Sequence, residues 1–571
     1  MSFPPSRLRF SLFFLLLILL ATMFACGSDD NASDDDDDDN DDDNDDDDNN
    51  DDDDNNNDDD NNDNNDNDNN DDDTVPDDIV DPPSSLPFTI EREQAGIAPT
   101  SGEITAFTQR MKDFYDGVDF FRWAARHSIG LAEGNPWGEP PYMIWWTNAY
   151  AIKSGDTVTF TWHGPSDNST AKVGRVLSLA VSLYLSNGDT AAREVALGYM
   201  RGLSATYDGT VWGDEDPVVD SIMARAIFHR NHTYELDGGR QAAVDYDSVR
   251  YEVIERRHDT VHNPDNPTWG DIWVRNKRSK DDFPYLYRSI PLLARLIRES
   301  DDEEMKQAAI KLYRQISNMA RDVARHGYHI RTKGVDGEIF VPRTEYGFVD
   351  DFASFVNYEF IFPRAECNAK LCTAYLATGG DALGNDCLDG HSRGYELIAN
   401  FGHFWSANMI WGFHISAVSL SLAYENNEAA RSLLEGLAAR VEEIRASFFC
   451  DMYLEWNPEI AQTLVLAAAY GLPLTNEEAR YVIEHFTAAA DHYEAFEYWD
   501  LWDETITDGE YEFMPERYEY DPDGDPVAAY VRITEIADLY EYCYSPLKDP
   551  AGAQFVDCEA LLGAEYRFTP E

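Results

Sequence analysis

The stretch YELIANFGHFWSANMIWGFHISAVSLSLAYENNEAARSLLEGL, residues 395–437, sets the fold class. Apolar residues run almost unbroken to Leu422, as on a helix buried on all sides. A polar break at Asn426-Asn427 follows, and Asn is a good helix N-cap. Apolar residues then recur at helical spacing through Leu433, Leu434 and Leu437. The stretch reads as a helical hairpin, one buried helix and one amphipathic helix.

Working outward, the same design recurs. Residues 170–185 and 190–203 flank Ser186-Asn187-Gly188-Asp189, and 283–298 and 302–325 flank Glu299-Ser300-Asp301. Residues 460–470 and 477–490 flank a Gly471-containing break, and 366–377 ends at Thr378-Gly379-Gly380-Asp381. Pro291 should kink or shorten the 283–298 helix. Residues 104–129 read as a further helix, and the wide gap after Val218 has room for one more hairpin. Residues 156–162 (DTVTFTW) alternate as a strand does, and 331–341 reads as a β-hairpin. An all-α fold of repeated hairpins, with minor β-hairpin insertions, is therefore expected.

The rhythm and the Gly-Asp turns resemble the (α/α)-toroid superfamily of six-hairpin glycosidases and polysaccharide lyases, over about residues 104–490. The resemblance implies helical hairpins closed into a ring, within a domain of residues 99–493, and a cleft that takes a glycan. It carries no specific catalytic motif. A solenoid of stacked hairpins is the alternative, with more regular repeats and fewer long insertions.

The ends of the chain are another kind of polymer. Arg7 and Arg9 precede an apolar run that ends at Cys26, and residues 1–25 read as a secretory signal. The run is short for a membrane span. Met23-Phe24-Ala25-Cys26 resembles a bacterial lipobox, which implies lipidation of Cys26; Met23 and bulky Phe24 depart from the pattern. Residues 29–73 hold 28 Asp and nothing apolar larger than Ala32. Such a segment cannot bury enough to offset chain entropy, and its charges stretch it. With Cys26 it forms a tether, residues 26–73, with a contour of up to about 150 Å. Pro-rich residues 74–98 read as the last linker before the fold, and 494–571 as an irregular region packed over it.

The whole chain carries a formal charge of −65; without the 28 tether Asp, Arg7 and Arg9, 81 acidic and 42 basic side chains leave about −39. That excludes nucleic acid and an anionic bilayer as partners. The membrane is met through the N-terminal lipid alone, the protein is read as a monomer, and a polysaccharide is the expected ligand. Localisation in the cell envelope follows, at the outer membrane or cell surface. Beyond Cys26 there are six Cys, and an even number after an export signal suggests disulfides. Nearness favours Cys543–Cys558.

Candidate chemistry falls in the insertions. Trp137, Trp145 and Trp146 lie among Gly and Pro in NPWGEPPYMIWWTNAY, residues 135–150, and sugar C–H faces stack on such rings. Glycoside hydrolysis needs two carboxylates across one bond; VPRTEYGFVDDF, residues 341–352, offers Glu345 and Asp350 beside Arg343 and Tyr346. The acids there also fit helix capping. β-Elimination from a uronate needs a base, an acid and a group that neutralises the carboxylate. In the toroid lyases Tyr and His serve the first two roles and Asn or Arg the third, which implicates Tyr346, His403, Asn400 and Arg343. Asn400 and His403 share a helix face, and Asn408 lies further round. His403 and His414 stand about 16 Å apart along a helix and cannot share a metal. Asp521, Asp523 and Asp525 resemble the start of a Ca²⁺ loop. Pro526 and Arg532 occupy the positions that need Gly and Glu, so a plain acidic turn competes with a structural Ca²⁺. No other cofactor is expected: there is no P-loop, dinucleotide Gly fingerprint, HExxH or GxSxG.

Overall fold

The computed structural model describes residues 78–118, 128–130, 142–144, 149–155, 157–163, 169–213, 215, 222–224, 226–229, 260–275, 283–325, 331–333, 339–340, 406–445, 459–495, 507–513 and 538–563. Thr74–Glu571 forms one compact unit, distinct from Met1–Asp73. Its described part is mostly helical.

The helices are α1 (Ser101–Val118), α2 (Ser169–Asn187), α3 (Thr190–Asp208), α4 (Phe283–Glu299), α5 (Glu303–Arg325) and α6 (Ser406–Ala423). They continue as α7 (Asn427–Arg445), α8 (Glu459–Ala469), α9 (Asn476–Ala495), α10 (Asp538–Tyr544) and α11 (Cys558–Leu562). Four hairpins expected from the sequence are thus present: α2–α3, α4–α5, α6–α7 and α8–α9. Their second helices start where polar side chains cap free backbone N–H groups. Asp189 accepts from the Ala192 N–H at 2.7 Å, Asp302 from Met305 at 3.2 Å and Asn426 from Ala429 at 3.3 Å. Thr475 and Glu478 bond reciprocally to each other's backbone N–H, a capping box, as do Thr100 and Glu103 at the start of α1. The helix through Pro291 runs its full length.

Packing follows from which helices are buried along most of their length. Leu177, Ala180 and Val181 of α2, Leu293 and Ala294 of α4, Ala417 and Leu420 of α6, and Val465 and Ala467 of α8 are fully buried. α2 packs on α4, α4 on α6, α6 on α8, α8 on α10, and α10 on α2. We call these five the central helices. The amphipathic partners lie outside them: α3 against α2 and α5, α5 against α4, α7 against α6 and α8, α9 against α8 and α1.

Expectation and structure part in three places. The helix expected over 104–129 covers Ser101–Val118, and Ser128–Gly130 is instead β1, paired with β2 (Tyr142–Ile144). The gap after Val218 holds no helical hairpin in its described part. It holds β5 (Ala226–His229), β6 (Thr260–Asn266) and β7 (Gly270–Arg275), an antiparallel sheet in the order β5-β7-β6. Pro264 inside β6 sits where the register slips between Asn263 and Asn266, the irregularity that a residue without an N–H requires. The expected strand at 156–162 is β4 (Thr157–His163), and it belongs to a three-stranded sheet with β3 (Ala149–Ser154) and β10 (Gly509–Phe513). The expected hairpin near 331–341 is β8 (Thr332–Lys333) with β9 (Ile339–Phe340).

The third difference lies in the flanking segments. From Asp78 onward the Pro-rich stretch packs on the helices, with Ile79 and Ile90 buried. The C-terminal region does not merely overlie them. Its α10 sits between α8 and α2, with Leu539 and Cys543 fully buried. Cys543 and Cys558 form the disulfide that their nearness suggested.

Candidate functional site

Side-chain bonds fix which way the central helices run. Tyr184 near the end of α2 meets Ser300, just past α4, at 3.1 Å. Tyr544 at the end of α10 donates to Glu299 Oε2 at 3.0 Å, and the Arg295 guanidinium lies 5.6 Å from the Tyr544 ring centre. Ser545 donates to the carbonyl of Ala469 at the end of α8. The C-termini of α2, α4, α8 and α10 therefore lie at one end. There the chain turns in short steps, through 188–189, 300–302 and 470–475.

Residues 78–98 cross that turn end as a strap. The Val80 N–H donates to Tyr313 Oη on α5 at 3.1 Å, and Arg295 on α4 donates to the Pro83 carbonyl at 3.0 Å. Leu86 fills the space over Gly471, whose φ of +104° an L side chain rarely adopts. Arg431 on α7 stacks 5.2 Å from the Phe88 ring centre. Arg92 then grips Glu478 on α9 with two bonds of 2.7 and 2.9 Å.

The connections of more than 40 residues leave from the opposite end, where the outer helices finish and the next central helix begins. These are residues 119–168, 209–282, 326–405 and 496–537; the shorter 446–458 leaves there too, whereas 545–557, of the same length, follows α10 at the turn end. The side chains of the sequence candidates lie outside the described residues, but their place in the chain is known. Trp137, Trp145 and Trp146 belong to the first of these connections. Arg343, Glu345, Tyr346, Asp350, Asn400 and His403 belong to the third, and Asp521, Asp523 and Asp525 to the last. Asn408 is the third residue of α6, so its backbone opens a central helix at this end. The basic group Lys277, Arg278 and Lys280 immediately precedes α4. Cys26 lies in the unit that is not described.

Three described clusters stand on the way to this end, and sequence reasoning singled out none of them. The first is central. Arg288 on α4 reaches Glu541 Oε2 at 3.1 Å and Asp538 Oδ1 at 3.5 Å, both on α10. Gln462 on α8 donates to Asp538 Oδ2 at 2.5 Å, and Tyr470 to Glu541 Oε1 at 2.8 Å. Arg288, Gln462, Asp538 and Glu541 are buried and Tyr470 is half-buried; desolvation pushes the Tyr470 phenol well above its ordinary range. Buried charges survive only when paired. The cluster fixes α10 against α4 and α8 rather than meeting solvent. The spacing Asp538-x-x-Glu541 in DLYEYCY, two acids on one face of an apolar helix, was the legible signal.

The second cluster ends α3. Asp208, fully buried, accepts from Lys311 Nζ at 2.7 Å and from Gln315 at 3.1 Å, and burial raises its carboxyl above the usual range. Asn263 and Asn266 of β6 donate to the carbonyls of Val211 and Asp208, each at 2.8 Å, which pins the β5-β7-β6 sheet to this end. Gly209 allows it: a Cβ there would meet Ile227 of β5 at 2.3 Å. Lys333, buried, donates to the Thr210 carbonyl at 2.7 Å, pairs with Glu215, and lies 5.4 Å from the Trp212 ring centre.

The third is His262 on β6 with Asp271 on β7, Nε2 to Oδ1 2.7 Å apart and partly exposed. The carboxylate orients the imidazole ring, the arrangement by which a second side chain holds a histidine in one pose. Among the described residues no group of three or more His, Cys, Asp or Glu is placed to hold a metal ion. No described helix is long and apolar enough to cross a membrane.

Comparison with protein-family models, with characterised proteins and with solved structures finds no match to this chain.

Proposed function

We propose that the hairpins close into an (α/α) toroid and that a glycan binds where the long connections gather, at the N-terminal ends of the central helices. The contacts α2–α4–α6–α8–α10–α2 support closure, as does the common direction of α2, α4, α8 and α10. One observation carries the functional reading: the connections of more than 40 residues all leave from one end. Short turns, the strap and residues 545–557 belong to the other, while the aromatic loop, the Arg343–Asp350 acids and Asn400–His403 all fall in those long connections. Loops on a rigid scaffold are where binding and catalysis concentrate.

The protein is then an exported, monomeric, lipid-anchored carbohydrate-active protein. Trp137, Trp145, Trp146, Asn400 and Asn408 contact sugar, and Glu345, Asp350, Tyr346, His403 and Arg343 supply the chemistry of hydrolysis or elimination. The test is incubation of the full folded unit with neutral and uronate polysaccharides, following reducing ends, absorbance of unsaturated products and binding. Reducing ends alone identify a hydrolase, unsaturated products a lyase, and saturable binding without turnover a glycan-binding protein. Neither binding nor turnover on any polysaccharide overturns the reading. The mass of the mature N-terminus tests the anchor; an unmodified Met1 chain contradicts it.

A further inference from the structure

We propose that Cys543–Cys558 is a reducible latch on α10, tuned by Lys548. Cys543 is buried on α10, whereas Cys558 at the start of α11 is only half-buried, so an incoming thiolate reaches the Cys558 sulfur first. Lys548 Nζ stands 3.9 Å from Cys558 Sγ. It is fixed there by donating to the Cys543 carbonyl at 2.5 Å and by lying 5.2 Å from the Tyr542 ring centre. Asp549, next to Lys548 in sequence, accepts from the Ala551 N–H; of the two acids that flank Cys558, Asp557 accepts from the Ala560 N–H and Glu559 is exposed. Desolvation pushes the Lys548 ammonium down to about 8, so a new anion beside it relieves an existing cost.

The chemistry is an exchange with an external dithiol. Its thiolate attacks Cys558 Sγ, the S–S bond breaks, and Cys543 leaves as thiolate and takes up a proton. The second thiol of the reductant, deprotonated, attacks the mixed disulfide and expels the Cys558 thiolate, which Lys548 stabilises. The protein gains two electrons, and the reductant becomes a cyclic disulfide. A cation that stabilises the thiolate favours the reduced form, as at other low-pKa cysteines. Opening the bond removes the covalent hold on the helix that carries Asp538 and Glu541, and so loosens the central cluster.

Equilibration of the full folded unit with dithiothreitol redox buffers tests this, with free thiols counted. Lys548→Met should disfavour reduction by about tenfold in the equilibrium constant, about 30 mV, and Lys548→Arg should restore it. Equal constants for all three proteins overturn the tuning role. A second readout does not require the disulfide: in Cys543→Ser, alkylation rate against pH should give a Cys558 pKa below about 8.5, rising when Lys548→Met is added. A Cys558 pKa that does not move overturns the proposal. Hydrogen exchange in residues 538–547 should quicken on reduction; unchanged exchange overturns the latch.

Discussion

Arg288 holds two carboxylates inside the protein, and their balance is set by single side chains. Removing one partner from a buried ionic group costs about 3–5 kcal/mol, because the remaining charges lose their compensation. Arg288→Met should cost that much in chemical denaturation, and adding Asp538→Asn and Glu541→Gln should recover most of it. A triple variant no better than the single one would mean that the loss is packing alone. Acid sensitivity is also a residue property. The Arg480 guanidinium, with the backbone and hydroxyl of Thr100, lowers the Glu103 carboxyl from 4.5 to about 2. A depressed carboxyl stabilises above its unfolded value, and the stabilisation is lost as pH falls from about 4.5 towards 2. Glu103→Gln should flatten denaturation midpoints in that window. Asp302 and Glu304, lowered by Arg193, act in the same direction. Asp208 opposes them: its carboxyl is raised, so its penalty grows as pH rises through the folded value.

At the scale of elements, the strap joins helices that the chain itself separates widely. Arg92 pairs with Glu478, whose side chain is 2% exposed. Arg92→Ala leaves that carboxylate buried with its capping bond alone, and should cost about 1–3 kcal/mol in urea denaturation. Gly471→Ala is strained by its positive φ and meets Leu86 Cδ2 at 2.5 Å. It should cost about 1–3 kcal/mol, and Leu86→Ala in the same chain should relieve the clash but not the φ. Full recovery in the pair would contradict this account of Gly471. The hairpins were legible because periodicity and caps agree: apolar helices end at Gly188, Ser300 and Asn426, and Asp189, Asp302 and Asn426 restart the chain. The strap was not, because Pro83, Leu86 and Phe88 have no period, and their partners lie hundreds of residues away. The β5-β7-β6 sheet was hidden for a similar reason, since Pro264 breaks the alternation of β6. Among chemical groups, Asp538-x-x-Glu541 had a spacing that could have been read. The His262–Asp271 pairing depends on the register of two strands and has no sequence spacing of its own.

For the whole molecule, the organising fact is that each connection of more than 40 residues joins the end of an outer helix to the start of a central one. Sequence reading found candidates in scattered insertions, and the order of the helices puts those insertions in these connections. The disulfide contributes at this scale too. Closing its 15-residue loop stabilises by about 3 kcal/mol, and loss of the bond in Cys558→Ser should lower the unfolding free energy by about that amount.

Hydrogen exchange of the folded unit, with and without a panel of neutral and uronate polysaccharides, tests most directly whether the loop end is the working end. The account predicts slowed exchange in peptides from 128–163, 260–275 and 326–408, and none across the strap at 78–98 or the turns at 300–302 and 470–475. Protection confined to the strap and turns, or no protection by any polysaccharide, would contradict it.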